Sequence, residues 1–250
     1  MEPRDPSLAA EHDPDAVRVR LSTPPSSSYL RDFIYGAIDG AVTTFAVVAG
    51  VQGAGLSASV VLILGGANLI ADGFSMAVSN FLGLRAERQQ LDRARLEEER
   101  HVRLVPEGER EEIRQIFAGK GFEGEDLERV VEVITADHDL WVTTMLGEEL
   151  GLGGVEPNPL RAGATTLLAF VAIGSFPLAA FVFDAVTPGG LEHAFAWSAV
   201  MTAAAFFAVG SLKARFVEQA WWRSGLETLA IGGVAAVLAY AAGAFIESIV

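Results

Sequence analysis

Between residues 33 and 84 the chain carries only two charged side chains, Asp39 and Asp72. Between residues 162 and 212 only Asp184, Glu192 and the neighbouring His193 interrupt a second uncharged run. Runs this long and this poor in charge read as helices that cross a bilayer, where each backbone N–H and C=O must be satisfied within its own helix. The composition agrees, with 51% hydrophobic and 20% charged residues, and a soluble cytosolic enzyme is excluded. With no cysteine there is no disulfide, thiolate metal site or cysteine nucleophile.

The fold class expected is all-α: a polytopic membrane protein with five transmembrane helices and a cytosolic helical insert between spans two and three. The first span, residues 33–54, is about 33 Å long as a helix, enough to cross. Residues 58–84, 162–186, 194–212 and 225–246 supply the others. Pro177 lies inside the third span and is expected to kink it. The domains follow as a disordered polar leader (1–28), spans one and two (29–84), the insert (85–160) and spans three to five (161–250). The leader holds five prolines and no apolar segment, so it is not a signal peptide.

Basic residues fix the orientation. All 18 fall in the leader, at Arg31, in the insert and its closing Arg161, or in the loop between spans four and five. In a five-span chain these stretches lie on one side. The N-terminus and insert are therefore expected in the cytosol and the C-terminus across the membrane, in a bacterial inner or an organellar membrane. A net charge of −14 argues against nucleic acid as a partner.

The insert is helical in pattern. Residues 85–105 continue span two as a charged helix with no break before Pro106, and helices follow over 107–120, 125–136 and 140–150, the last capped by Asp137 or Asp139.

Acids at membrane depth cost about 2.5–3.5 kcal/mol on insertion scales, so they normally face a polar path or partner. Asn68, Asp72 and Met76 recur every four residues on one helix stripe. Asp39 sits inside the Gly36–Gly40 small-residue pair, with Thr43 one turn on, so it is expected to meet a second helix. Asp39, Met76, Asp72 and Asn68 are the candidate path. In the insert, Glu98 with His101, Glu109 with Glu112, and Met145 with Glu149 each have ligand spacing on one helix face. Carboxylates suit Mg²⁺, Ca²⁺ or Mn²⁺, while imidazole and thioether shift preference toward transition metals. The blander reading of these pairs is a solvated acidic face with arginine partners. No phosphate loop or dinucleotide fingerprint is present, so nothing supports ATP drive.

At these residues the chain resembles the vacuolar iron transporter family. The stretches that carry the likeness are Asp32-Phe-Ile-Tyr-Gly-Ala-Ile-Asp39-Gly40, Ala71-Asp-Gly-Phe-Ser-Met76, Val105-Pro106-Glu107 and Met145-Leu-Gly-Glu-Glu149-Leu-Gly. The likeness implies a homodimer with the path between its copies, Asp39 and Met76 touching the ion. It implies Glu98, Glu109, Glu112, Met145 and Glu149 as ligands that gather metal in the cytosol. The activity implied is export of Fe²⁺, with Mn²⁺ as a second metal, from the cytosol by proton antiport. The metal is then substrate, and no cofactor is held permanently. Two positions depart: Asn68 and His101 stand where the family carries glutamates, and Asp72 is the candidate for the displaced membrane charge. Two rivals remain at this stage: a membrane-anchored metal sensor or buffer, and an intramembrane aspartyl protease built on Asp39 and Asp72.

Overall fold

The computed structural model of the chain describes residues 10–22, 28–154, 157–217 and 219–250. Among them there are helices and connections but no strand. In chain order the helices are α1 (Pro14–Ser22), α2 (Leu30–Gly53), α3 (Ala58–Leu104), α4 (Pro106–Gly119) and α5 (Gly124–Thr135). Then come α6 (His138–Glu148), α7 (Pro159–Gly174), α8 (Phe176–Val186), α9 (Ala194–Val217) and α10 (Trp221–Glu247). Four of these, α2, α3, α9 and α10, are long and apolar enough to cross a membrane. The pair α7 and α8 adds one more candidate if its 49° bend lies within a single span.

By packing the chain divides into two units, residues 29–109 with 157–250, and residues 1–28 with 110–156. In the larger unit α2 is the hub. Its face of Ile34, Ala37, Ala41, Val48 and Ala49 is buried at helical spacing. Phe45, Val48, Val61, Leu69, Phe170, Leu178 and Phe181 form a common core drawn from α2, α3, α7 and α8. Close approach depends on missing side chains. A Cβ on Gly36 would run into the backbone of Thr166, and one on Gly40 into the backbone of Phe170, so α2 lies directly on α7. Gly53 and Gly243 bring α2 and α10 together in the same way. The small-residue pair around Asp39 therefore does meet a second helix, and that helix is α7.

The third apolar run bends at Ser175, ahead of Pro177. Pro177 occupies the first turn of α8, where its missing N–H costs no hydrogen bond, while in a continuous helix its ring would run into the carbonyl of Ile173. Around the bend the Ser175 hydroxyl donates to Ala172 O at 2.8 Å, and the Ser198 hydroxyl of α9 donates to Pro177 O at 2.5 Å. The longest helix, α3, is unbroken for 47 residues, about 70 Å, and ends where Pro106 begins α4. The apolar windows of α9 and α10 extend into polar ends at Lys213, Arg215 and Arg223, because helices stop at caps rather than where hydropathy falls.

In the smaller unit Ile113, Val131, Ile134, Trp141, Val142, Met145 and Leu146 are buried. Arg110 donates to Thr135 at 3.0 Å and lies 5.7 Å over the Trp141 ring, and Arg114 grips Glu128 through two bonds of 2.9 and 3.0 Å. Asp137 caps α6 by accepting from Leu140 N at 3.0 Å. The leader, expected to be without structure, needs a correction at residues 14–22. These form α1, started by Asp13, whose carboxylate accepts from Asp15 N at 3.0 Å, and by Pro14 in the first turn. No residue of α1 is buried. Residues 1–9 and 23–27 of the leader lie outside the described residues.

Candidate transport path and metal cluster

α3 turns a stripe of Val61, Gly65, Leu69, Gly73 and Ala77 into the core, and Gly65 and Gly73 make room for Leu178 and Phe170. Next to that stripe runs the polar one. Asn68 and Met76 are half-buried and Asp72 is exposed, while the apolar residues farther round, Ile63, Ile70 and Phe74, are 69%, 75% and 64% exposed. On α2, Asp39 is half-buried and close enough to Asp72 for their like charges to interact. The Thr43 hydroxyl donates to Asp39 O at 2.8 Å and accepts from the Asn68 amide at 3.4 Å, a link between α2 and α3 one turn beyond the acid. All four candidate path residues thus gather along one seam of α2 and α3.

That seam continues into a cavity of about 240 Å³ lined by Arg31, Asp32, Tyr35, Met76, Ser79, Asn80 and Thr166. Here the Asn80 amide donates to Asp32 Oδ1 and to Thr166 Oγ1, both at 2.9 Å, and the Thr166 hydroxyl donates to Ala162 O at 3.0 Å. The Arg31 guanidinium lies 5.5 Å over the Tyr35 ring. The sequence reading missed Asp32, Asn80 and Thr166. The signal was present for two of them: Asn80 extends the four-residue period of Asn68, Asp72 and Met76 by one turn, and Asp32 precedes Asp39 by two turns.

Farther along α3, Glu98 and His101 share a face, and the first turn of α4 brings Glu109 to them. His101 Nδ1 stands 3.9 Å from Glu98 Oε1 and 3.6 Å from Glu109 Oε1. One ligand atom from each of the three lies within 4.8 Å of the others. Glu98 and Glu109 are both only 4% exposed. The remaining candidate ligands belong to the smaller unit, where Glu112 and Glu149 are exposed and Met145 is fully buried. Its acidic helices also carry the arginine pairing of a solvated face. Hydrogen bonds from Arg114 hold the Glu128 carboxyl below its ordinary range, and hydrogen bonds from Gln115 first and Arg114 second do the same for Glu111.

Comparison with known proteins adds an independent line. The model of the VIT family matches residues 30–244. A vacuolar iron transporter of Toxoplasma gondii is 35% identical over 235 residues, covering 91% of this chain and 78% of the relative. Vacuolar iron transporter 1 of Arabidopsis thaliana is 32% identical, covering 84% and 83% of the two chains. The vacuolar iron transporter of Plasmodium falciparum is 30% identical, covering 76% and 72%.

Proposed function

The chain belongs to the VIT family, and on that premise we propose that it exports Fe²⁺ from the cytosol in exchange for protons, with Mn²⁺ as a second substrate. Membership of a transporter family makes it a metal transporter rather than an enzyme, which removes the aspartyl protease reading. In this proposal α7 and α8 form one bent span, giving five, and the membrane is organellar. The N-terminus and the segment from Arg85 to Arg161 face the cytosol and the C-terminus lies across the membrane.

The observation that carries the reading is the seam of Asp39, Asn68, Asp72 and Met76 on two helices of membrane length. Asp72 is exposed on a helix whose surface farther round, at Ile63, Ile70 and Phe74, is apolar and also exposed. A carboxylate left toward lipid is costly, so such a seam calls for a partner surface, and a second copy of the chain supplies the same seam by symmetry. The path then lies between two protomers. Within it a carboxylate holds either a proton or a divalent cation, since both compete for the same lone pairs. Alternate exposure of Asp39 to the two sides exchanges one for the other without nucleotide. The Met76 thioether favours a softer metal over Mg²⁺ or Ca²⁺. Glu98, His101 and Glu109 gather the cation on the cytosolic side before it enters, and Glu112, Met145 and Glu149 are candidate ligands within the smaller unit.

Uptake into proteoliposomes tests this. Vesicles loaded at acidic pH are expected to accumulate Fe²⁺ under reducing conditions. Asp39→Asn is expected to stop that uptake while the purified protein elutes as wild type does. Unimpaired uptake by the variant would overturn the exchange mechanism.

A further inference from the structure

We propose that His101 sets the metal class of the Glu98–His101–Glu109 cluster, making it a mixed nitrogen–oxygen site that takes Zn²⁺, Co²⁺ and Fe²⁺ ahead of Mn²⁺, Mg²⁺ and Ca²⁺. The inference rests on the reading of this cluster as a capture site and adds the identity of the ion it selects.

The arrangement arises from two neighbouring helices. Glu98 and His101 are three residues apart on α3 and share a face. Helical bonding ends with Val105 N donating to His101 O at 2.8 Å, and α4 starts with Glu109 N donating to Val105 O at 3.2 Å. The turn between them sets Glu109 beside the imidazole. The gaps of 3.6 and 3.9 Å from Nδ1 to the two carboxylates are too long for direct hydrogen bonds. They approach the spacing of donors arranged round one ion: two ligands each about 2.1 Å from a cation stand roughly 3.0–3.4 Å apart. A closure of a few tenths of an ångström on binding brings the imidazole to that spacing from each carboxylate, and the three ligand atoms already lie within 4.8 Å of one another.

The two carboxylates bind any divalent cation. The imidazole is the discriminating donor, because nitrogen ligation adds affinity along the series from Mn²⁺ through Fe²⁺ and Co²⁺ to Zn²⁺ and adds little for Mg²⁺ or Ca²⁺. The burial pattern fits a site that keeps water in its shell. The carboxylate side chains are 6% and 5% exposed, while the imidazole is 52% exposed and leaves one side open to solvent.

Competition titrations on the full-length protein in detergent test the assignment, with Zn²⁺, Co²⁺, Mn²⁺ and Ca²⁺ as probes. Wild type is expected to prefer Zn²⁺ over Mn²⁺, and His101→Glu to narrow that ratio by about tenfold or more. Pulsed electron paramagnetic resonance of bound Mn²⁺ is expected to show an imidazole nitrogen coupling in wild type and none in His101→Glu. A ratio within about twofold of wild type in His101→Glu, with binding still lost in the Glu98→Gln/Glu109→Gln double variant, overturns the role of His101 and leaves the capture site standing. Undiminished binding by the double variant overturns the capture reading and this inference together.

Discussion

Two groups of carboxylates on the same helix reverse the usual relation between burial and environment. In the apolar half of α3, Asp72 is exposed; in the charged half, Glu98 is 4% exposed. In water a carboxylate is comfortable at the surface and needs compensation when buried. In a bilayer the surface is the costly place and a polar seam the comfortable one. Each group therefore sits where its own solvent makes it expensive, a position that packing alone would not select. The first group is proposed to turn over and the second to hold, so the two should fail differently when altered.

The largest expected effect separates them. Asp39→Asn or Asp72→Asn should reduce Fe²⁺ flux by at least about tenfold, given the cost and specificity of charge at membrane depth. Metal affinity measured at the cytosolic cluster of the same proteins should not change. The Glu98→Gln/Glu109→Gln double variant should do the reverse, weakening metal binding by about ten- to a hundredfold while flux at saturating metal holds. If both sets of variants lose flux and affinity in the same proportion, the division of labour is wrong.

Next comes the support of the seam. Gly40→Val would press a side chain onto the Phe170 backbone, and overpacking of this kind costs about 1–3 kcal/mol. Thermal melts in detergent should fall by several degrees. The same change at Gly66, where a Cβ meets nothing within 4 Å, should leave the melt near wild type. Ser198→Ala removes the donor to Pro177 O and should cost about 1 kcal/mol, read by the same melts.

The smallest effect lies in the acidic helices, with its sign fixed by the arginine pairing. Arg114 holds the Glu128 carboxyl below its ordinary range, so its tie between α4 and α5 is fully present at neutral pH. It weakens as pH falls through the lowered value, when that carboxyl takes up a proton. Hydrogen exchange in α5 should quicken toward pH 3, and Arg114→Ala should flatten that dependence. The amplitude should be modest, because the groups are exposed and screened.

Much of this was legible in the sequence because hydropathy and cap signals are local. The continuation of α3 to the residue before Val105, a cap of α6 at Asp137 or Asp139 and the close helix approach at Gly36 and Gly40 all follow from residues a few positions apart. The meeting of Glu98, His101 and Glu109 was half legible. Spacing pairs Glu98 with His101, but Glu109 reaches them only through the angle of the turn at Val105 and Pro106, which no periodicity encodes. Asp32, Asn80 and Thr166 come from α2, α3 and α7, and their hydrogen bonds depend on how closely Gly36 lets those helices approach. Ser175 shows a further limit: Pro177 announces a bend, but the backbone turns two residues earlier, so that the proline falls in the first turn of a new helix where no N–H is needed.

The unbroken length of α3 makes a stiff lever of it. Asp72 and Glu98 are 26 residues apart on one rod with no hinge between them, about 39 Å of rise. A rocking of only 10° about the membrane portion would sweep the far carboxylate through about 7 Å. Loading at one end and opening at the other would then be two readings of a single mechanical coordinate.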